Sequence, residues 1–463
     1  MKTVYINISL RPDARRRQIP VGLGYVMTAT KAAGIDFDLI DMDIDYIDYN
    51  QLEKLLIEKK YDVFAFGAIV SGFKIVREIA AIIRKVNDGA IIVAGNSVAS
   101  SIADTLMEHT EVDIGILGEA DITIVELLKC IQNKDDIKNV QGIFYKDSGK
   151  VKYTAPRVME RNIDVFPFPE WELFDLEKYF QDSKINTNSF DTGDMDIKWL
   201  PLSSGRGCPY RCTFCYITVR DEKKRYRRYS YDMIMEEMYR LYHKYGANYI
   251  RFWDDLTFPN KSILRKMISG FKELDFKFYW DAPVRGDLFK EKDFDLLQEV
   301  KSTGCDNLAF SLENADTEIL KAIDKHLNID QFIGQAKVLR KANITPLTSI
   351  IFGYPQETKE SIKHTLDVCE EAGVYPSTGF LLALPGTPVY SWARENGYIP
   401  NEFEYLMKIG DRQDFHMNFT NMDSDFFMKE VSRGLEKLAN KQGLAFENPF
   451  KTVRYQKPKI FKN

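Results

Sequence analysis

Short apolar runs that alternate with helical periods, in two sets of different spacing, constrain this chain more than any other feature. In the first third, runs at 4–8, 37–40, 63–66, 91–94 and 114–117 are each followed by apolar residues at helical spacing, as Val76, Ile79, Ile82 and Ile83 are. This pattern predicts a doubly wound, Rossmann-like parallel sheet over residues 1–145. Such a sheet binds ligands beyond the carboxyl ends of its strands, so the residues just after each run carry the information. Ser71 and Gly72 follow the third run, Gly95, Asn96 and Ser97 the fourth, and Gly118, Glu119, Ala120 and Asp121 the fifth. Glycine lets a backbone approach a bulky ligand closely, although a tight turn explains any one of them equally well.

From Leu200 the alternation resumes in larger units. Strands are expected at 249–253, 278–280, 308–310, 349–352 and 378–384, separated by helical patterns such as 233–242 and 294–300. Six parallel units over 201–390 make an open (β/α)6 partial barrel, a TIM-like fold whose sites form at the carboxyl ends of the strands. Residues 146–200 read as a linker, with Pro167, Pro169 and Trp171 followed by an acidic, Asn-rich stretch. Residues 391–463 read as a small, mostly helical region. There Ser424 is expected to cap a helix whose Phe427, Val431, Leu435 and Leu438 share a face, and the Lys457 to Lys462 tail to be exposed.

Cys208, Cys212 and Cys215 supply three of the six cysteines within eight residues, in GRGCPYRCTFCYI. Three soft ligands leave a four-iron, four-sulfur cluster with one iron unclaimed by protein, and that iron can chelate a substrate. A closed zinc site wants a fourth Cys or His nearby, and the next histidine is His243. Cys130, Cys305 and Cys369 lie scattered in apolar or helical settings and read as reduced core residues.

The Cys-x3-Cys-x2-Cys loop, with Gly205, Arg206 and Gly207 before it and Phe214 and Tyr216 around the third cysteine, resembles the cluster loop of the radical S-adenosylmethionine (SAM) enzymes. The first 145 residues, with Pro20, Gly22, Leu23 and Tyr25 opening the first helix, resemble the cobalamin-binding domain that precedes the barrel in one large class of that family. The chain departs from many cobalamin proteins in lacking Asp-x-His-x-x-Gly and any histidine before His109, which implies a base-off cofactor without a histidine ligand. It departs again at Asn96, where the class often has a second glycine.

Along the barrel the resemblance implies that Asp254 and Asp255 accept hydrogen bonds from the SAM amino group and that Arg285 pairs with its carboxylate. Ser311 and Glu313 would serve the ribose and methionyl parts, and the Gly353 to Thr358 and Pro385 to Pro388 segments also fit. The implied chemistry is reductive cleavage of SAM to a 5'-deoxyadenosyl radical, hydrogen abstraction from an unactivated carbon, and methyl transfer from methylcobalamin. The substrate is expected to be a small molecule or peptide, and the electron donor a protein such as flavodoxin or ferredoxin. Ring formation or rearrangement without methyl transfer is the alternative within this architecture, and a cobalamin-binding sensor or carrier the alternative outside it. A methylthiotransferase would need a second cluster, which the single N-terminal Cys130 cannot hold.

The net charge of -5 argues against a nucleic-acid-tracking surface. The local basic runs, Arg15 to Arg17 and Lys223 to Arg228, are expected to be solvated. No stretch approaches the roughly 20 apolar residues of a membrane span, and the N-terminus turns polar too soon for a signal peptide, so a cytoplasmic protein is expected.

Overall fold

The computed structural model describes residues 1–12, 17–193, 195–216 and 226–450. Arg15, Arg16, the residues 223–225 and the basic tail from Lys457 lie outside the described residues. The described residues form two compact units, one of residues 1–183 and 383–411, the other of 184–382 and 412–450.

In the first unit, strands β1 (Thr3–Asn7), β2 (Phe37–Asp41), β3 (Val63–Gly67), β4 (Ile91–Gly95), β5 (Ile114–Ile116), β6 (Ile143–Asp147) and β7 (Lys150–Tyr153) make one sheet, ordered β2-β1-β3-β4-β5-β6-β7. The first five run parallel, and β6 and β7 add an antiparallel edge. β3 reads Val63-Phe64-Ala65-Phe66, all buried, because helices cover both faces of a parallel sheet. The stretch read as a linker is partly ordered into this unit. Helix Leu176–Asp182 buries Tyr179, whose hydroxyl donates to Asp41 at 2.7 Å and accepts from Asn7 Nδ2 at 3.3 Å. From the other end of the sequence, Phe403 packs edge-on against Phe73 and stacks with His109, at centroid distances of 6.2 and 4.2 Å.

Part of each basic run is not solvated: Arg227 is buried in the second, and Arg17 in the first. Arg17 is buried, pairing with Asp43 at 3.2 Å and donating to the carbonyls of Arg11 and Pro12, because a guanidinium has enough donors to tie an irregular loop to the sheet.

The second unit carries β8 (Trp199–Leu202), a short antiparallel pair β9 (Gly205–Arg206) and β10 (Arg227–Arg228), then β11 (Tyr249–Phe252), β12 (Tyr279–Pro283), β13 (Cys305–Ala309), β14 (Thr345–Leu347), β15 (Ser349–Phe352) and β16 (Ser377–Phe380). β8, β11, β12, β13 and β14 pair parallel in sequence order, and β15 pairs parallel with β16. β14 and β15 are one strand interrupted at Thr348, whose hydroxyl donates to the Phe310 carbonyl at 2.8 Å. A parallel bridge from Glu313 to Ile350 carries the sheet past the break, completing the expected six-stranded partial barrel. The third barrel strand lies later than the expected 278–280, and the sixth ends before 384.

Helix Ser424–Lys441 buries Phe427, Val431, Leu435 and Leu438, as their spacing predicts. Its cap is Asp423, not Ser424: the Asp423 carboxylate accepts from the Asp425 and Phe426 amides, serving two of the unpaired donors of the first turn. Gly434 lets this helix approach helix Lys359–Ala372, since a Cβ there would lie 2.3 Å from Leu366 Cδ1.

Candidate active site

The cysteine loop leaves the carboxyl end of β8 and is closed at its base by the β9–β10 pair. Gly205 is required there because a Cβ would meet the Arg227 carbonyl oxygen at 2.6 Å, and Gly207 adopts a φ of 81°, which side chains resist. Asp254, just past β11, locks this base by accepting from Ser204 Oγ at 2.6 Å and from the Gly205 amide at 3.1 Å. Burial pushes its pKa up to about 6, opposed by the Ser204 hydrogen bond and the Arg228 charge. Asp255 beside it is exposed.

Farther along, the loop lies on the turn after helix Thr317–Ala322. The Thr213 amide donates to the Ile323 carbonyl at 3.0 Å, its hydroxyl reaches the Ala322 carbonyl at 3.4 Å, and Cys212 Sγ sits 3.9 Å from the Asp324 carbonyl. Cys208, Cys212 and Cys215 are all partly exposed, and Phe214 and Tyr216 are half-buried beside them. Burial pushes the Cys212 thiol up, while Lys325 and Arg285 pull it toward the thiolate.

Arg285, past β12, stacks its guanidinium over Tyr210 of the cysteine loop at 4.1 Å, pairs with Asp287 at 3.2 Å and donates to the His326 carbonyl. Ser311 accepts from Ser349 Oγ at 2.9 Å. Glu313 is buried with a left-handed φ of 62° and pairs with the equally buried Lys325 at 2.9 Å. Beyond β15, buried Glu357 accepts from the Gly353 amide, Asn314 and Ser361 at 2.9, 3.1 and 2.8 Å, and burial pushes its pKa up to about 7. The structure thus brings the cysteines, Asp254, Arg285, Ser311 and Glu313 to the carboxyl-end loops of one barrel. Sequence reasoning missed Tyr210, Lys325 and the carbonyls of 322–326. Only Asp324 and Lys325, charged and adjacent at a helix end, were visible, and such a pair reads as ordinary surface.

Among the described residues no three or more His, Cys, Asp or Glu side chains converge as ligands of a single ion. A cluster asks for something else, since each cysteine takes its own iron and the sulfurs stand apart by the width of the cube. Three unbridged, partly exposed thiols on a loop fastened by its backbone fit that group.

In the first unit, Pro20 precedes helix Val21–Ala32, Ser71 and Gly72 form a 3-10 turn after β3, and Gly95 ends β4. A Cβ at Gly22, Gly95 or Gly118 would meet no atom within 4 Å, so open space adjoins each. Gly72 is packed instead, against Ala68 and Leu10, and Gly67 is held by the Gly95 carbonyl, 2.5 Å from where its Cβ would stand. Asn96 has a φ of 67°, a left-handed conformation that asparagine tolerates better than other side-chain-bearing residues. Its Oδ1 accepts from the Ser97 amide at 2.6 Å, and Ser97 Oγ in turn accepts from the Val70 amide at 2.7 Å. Gly118 donates its amide to Ser100 Oγ at 3.0 Å, and Glu119 beside it is half-buried. His109, the one histidine of this unit, ends helix Ala103–His109, which leads back to the amino end of β5. Open glycine-edged space at the carboxyl ends of the strands, with no histidine among them, fits a flat corrin held without a histidine ligand.

Residues 14–128 match the B12 binding domain, and residues 202–369 match the radical SAM superfamily. An uncharacterized methyltransferase of Pyrococcus horikoshii is 26% identical over 382 residues, 82% of this chain and 79% of its own. The cytidylyl-2-hydroxyethylphosphonate methyltransferase of Streptomyces wedmorensis is 24% identical over 446 residues, 86% of this chain and 82% of its own. The fold is also that of the radical SAM methyltransferase TsrM from Kitasatospora setae, with a TM-score of 0.65 at 18% identity over 85% of this chain and 76% of that one. Fold and site together define a cobalamin-binding module joined to a radical SAM barrel. The chain is a cobalamin-dependent radical SAM enzyme.

Proposed function

We propose that this enzyme methylates an unactivated carbon of a small molecule or peptide. The observation that carries the reading is the three-cysteine loop, fastened to the carboxyl ends of a parallel barrel, in a chain that also holds a B12 binding domain. The cluster would supply the electron that cleaves SAM, and cobalamin the methyl group.

The protein's residues hold and orient. Cys208, Cys212 and Cys215 take the three iron positions. Arg285 and Glu313 border the substrate side, Arg285 supplying a fork suited to a carboxylate and Glu313 an acceptor held rigid by Lys325. Asp254 maintains the base of the loop through Ser204 and Gly205, and Asp255, exposed beside it, serves the SAM amino group. Pro20, Gly22, Ser71, Gly72, Gly95, Asn96, Ser97, Gly118 and Glu119 border the corrin. We assign 1–145 to cobalamin, 201–390 to radical chemistry, 146–200 to connection and 391–463 to support.

Among the described residues no helix is long and apolar enough to cross a membrane. The working compartment in this reading is the cytoplasm, with flavodoxin or ferredoxin as reductant. The test is anaerobic reconstitution with iron, sulfide and hydroxocobalamin, then mass spectrometry of SAM products. Methylated product with 5'-deoxyadenosine is expected. Deoxyadenosine without methylation would move the reading to ring formation or rearrangement, and absence of corrin absorption would remove methyl transfer from cobalamin.

A further inference from the structure

The inner face of the barrel sheet carries charge where parallel barrels are mostly filled by branched apolar side chains. Along β11, Phe252 points outward and stacks on Phe271 of helix Lys261–Glu273 at 6.2 Å, so the alternate residues Tyr249, Arg251 and Trp253 point inward. The amino end of this inner face is closed. Asn188 and Ser189 donate their amides to Asp306 Oδ1 at 2.7 and 2.8 Å, and the Tyr249 hydroxyl lies 3.0 Å from Asp306 Oδ2. Above that floor, Arg251 donates through Nε to Asp281 Oδ2 at 3.0 Å. Its guanidinium lies over the Trp199 ring at 5.2 Å, and Trp199 stacks in turn with Trp253 at 6.3 Å. The two terminal nitrogens of Arg251 donate to no described residue, although its side chain is 28% exposed and Trp253 is 41% exposed. Asp281 thus fixes the direction of a guanidinium whose outer fork faces accessible space, an arrangement that grips a carboxylate or phosphate with two hydrogen bonds.

We propose that Arg251 binds the anionic head, carboxylate or phosphate-type, of the methyl-accepting substrate at the floor of the barrel, with the substrate's apolar body against Trp253. The inference rests on the radical SAM reading above and names a substrate class for it. Such a substrate stands with its charge toward the amino end and its reacting carbon toward the cysteine loop at the carboxyl end.

The test is a ligand-observed NMR titration of anaerobically reconstituted protein, its cluster left oxidised, with phenylphosphonate, benzoate and neutral benzamide as probes. Both anions are expected to bind, and benzamide about tenfold more weakly, the value of a charge-assisted pair. Whichever anion binds tighter tells a phosphate-type head from a carboxylate. Arg251→Gln should lower both anions to the level of benzamide. Because that substitution strands Asp281, the double variant Arg251→Gln with Asp281→Asn should do the same in a fold without an unpaired charge. Trp253→Ala should weaken all three probes alike. An anion preference that survives in the double variant, affinities indifferent to Trp253→Ala, or failure of both anions to bind the wild type would overturn the proposal. Absence of 5'-deoxyadenosine from the reconstituted wild type supplied with SAM and reductant would overturn the radical SAM reading instead, and leave the anion site standing.

Discussion

Asn96 shows how one residue reconciles a motif with its geometry. The position needs a left-handed backbone, which a branched side chain adopts only at a cost. Asn96→Val should therefore lower stability by about 1–2 kcal/mol, while Asn96→Gly should leave it within a few tenths, measured by urea unfolding. Glu357 carries a different signature. Its carboxyl is harder to ionise in the fold, with a pKa of about 7 against an ordinary 4.5, so folding favours its protonated form. The stability this confers is complete below about pH 4.5, declines as the pH rises to about 7, and is gone above that. Glu357→Gln keeps the shape without the ionisation. The difference in stability between wild type and variant should thus change by up to about 3 kcal/mol from pH 4.5 to 7.5, wild type losing ground as pH rises. A flat difference would mean that Glu357 titrates normally.

At the scale of elements, the turn at 322–326 holds the cysteine loop through its carbonyls, and the buried Glu313–Lys325 pair ties the same turn to the end of β13. Removing one partner strands the other's charge in a dry site. Lys325→Met should cost about 3–5 kcal/mol and lower iron retention, and adding Glu313→Gln should recover most of the loss; a double-mutant cycle reads both. The cysteines, the parallel strands and the polar residues after each strand were legible because they are local: a run, a spacing, a residue type. The turn was not, because its function lies in backbone carbonyls, and every residue has one. Asp423 displaced Ser424 as a cap because adjacent acceptors compete, and only the coordinates show which one the first turn closes on.

For the whole molecule, the two cofactors make separable demands. The first unit contains a single histidine, His109, whose ring stacks on Phe403 and whose helix leads to the amino end of β5, opposite the strand ends that bind ligands. A corrin there has no imidazole to take, so the reduced cobalt(II) form should show no histidine nitrogen splitting in its EPR spectrum, and His109→Ala should leave that spectrum unchanged. Splitting lost on that substitution would place the corrin elsewhere in the unit. In the proposed function the cluster depends on three cysteines of the other unit, all of them on one loop. Replacing Cys208, Cys212 and Cys215 by alanine should therefore remove iron and abolish SAM cleavage while the protein still takes up hydroxocobalamin at wild-type stoichiometry. The glycine-edged turns proposed to border the corrin have their geometry set within their own sheet, by Ser97 on the Val70 amide and Ser100 on the Gly118 amide. Loss of corrin along with iron in the triple variant would show that these turns do not suffice, and that the bound cluster helps to shape the site they form.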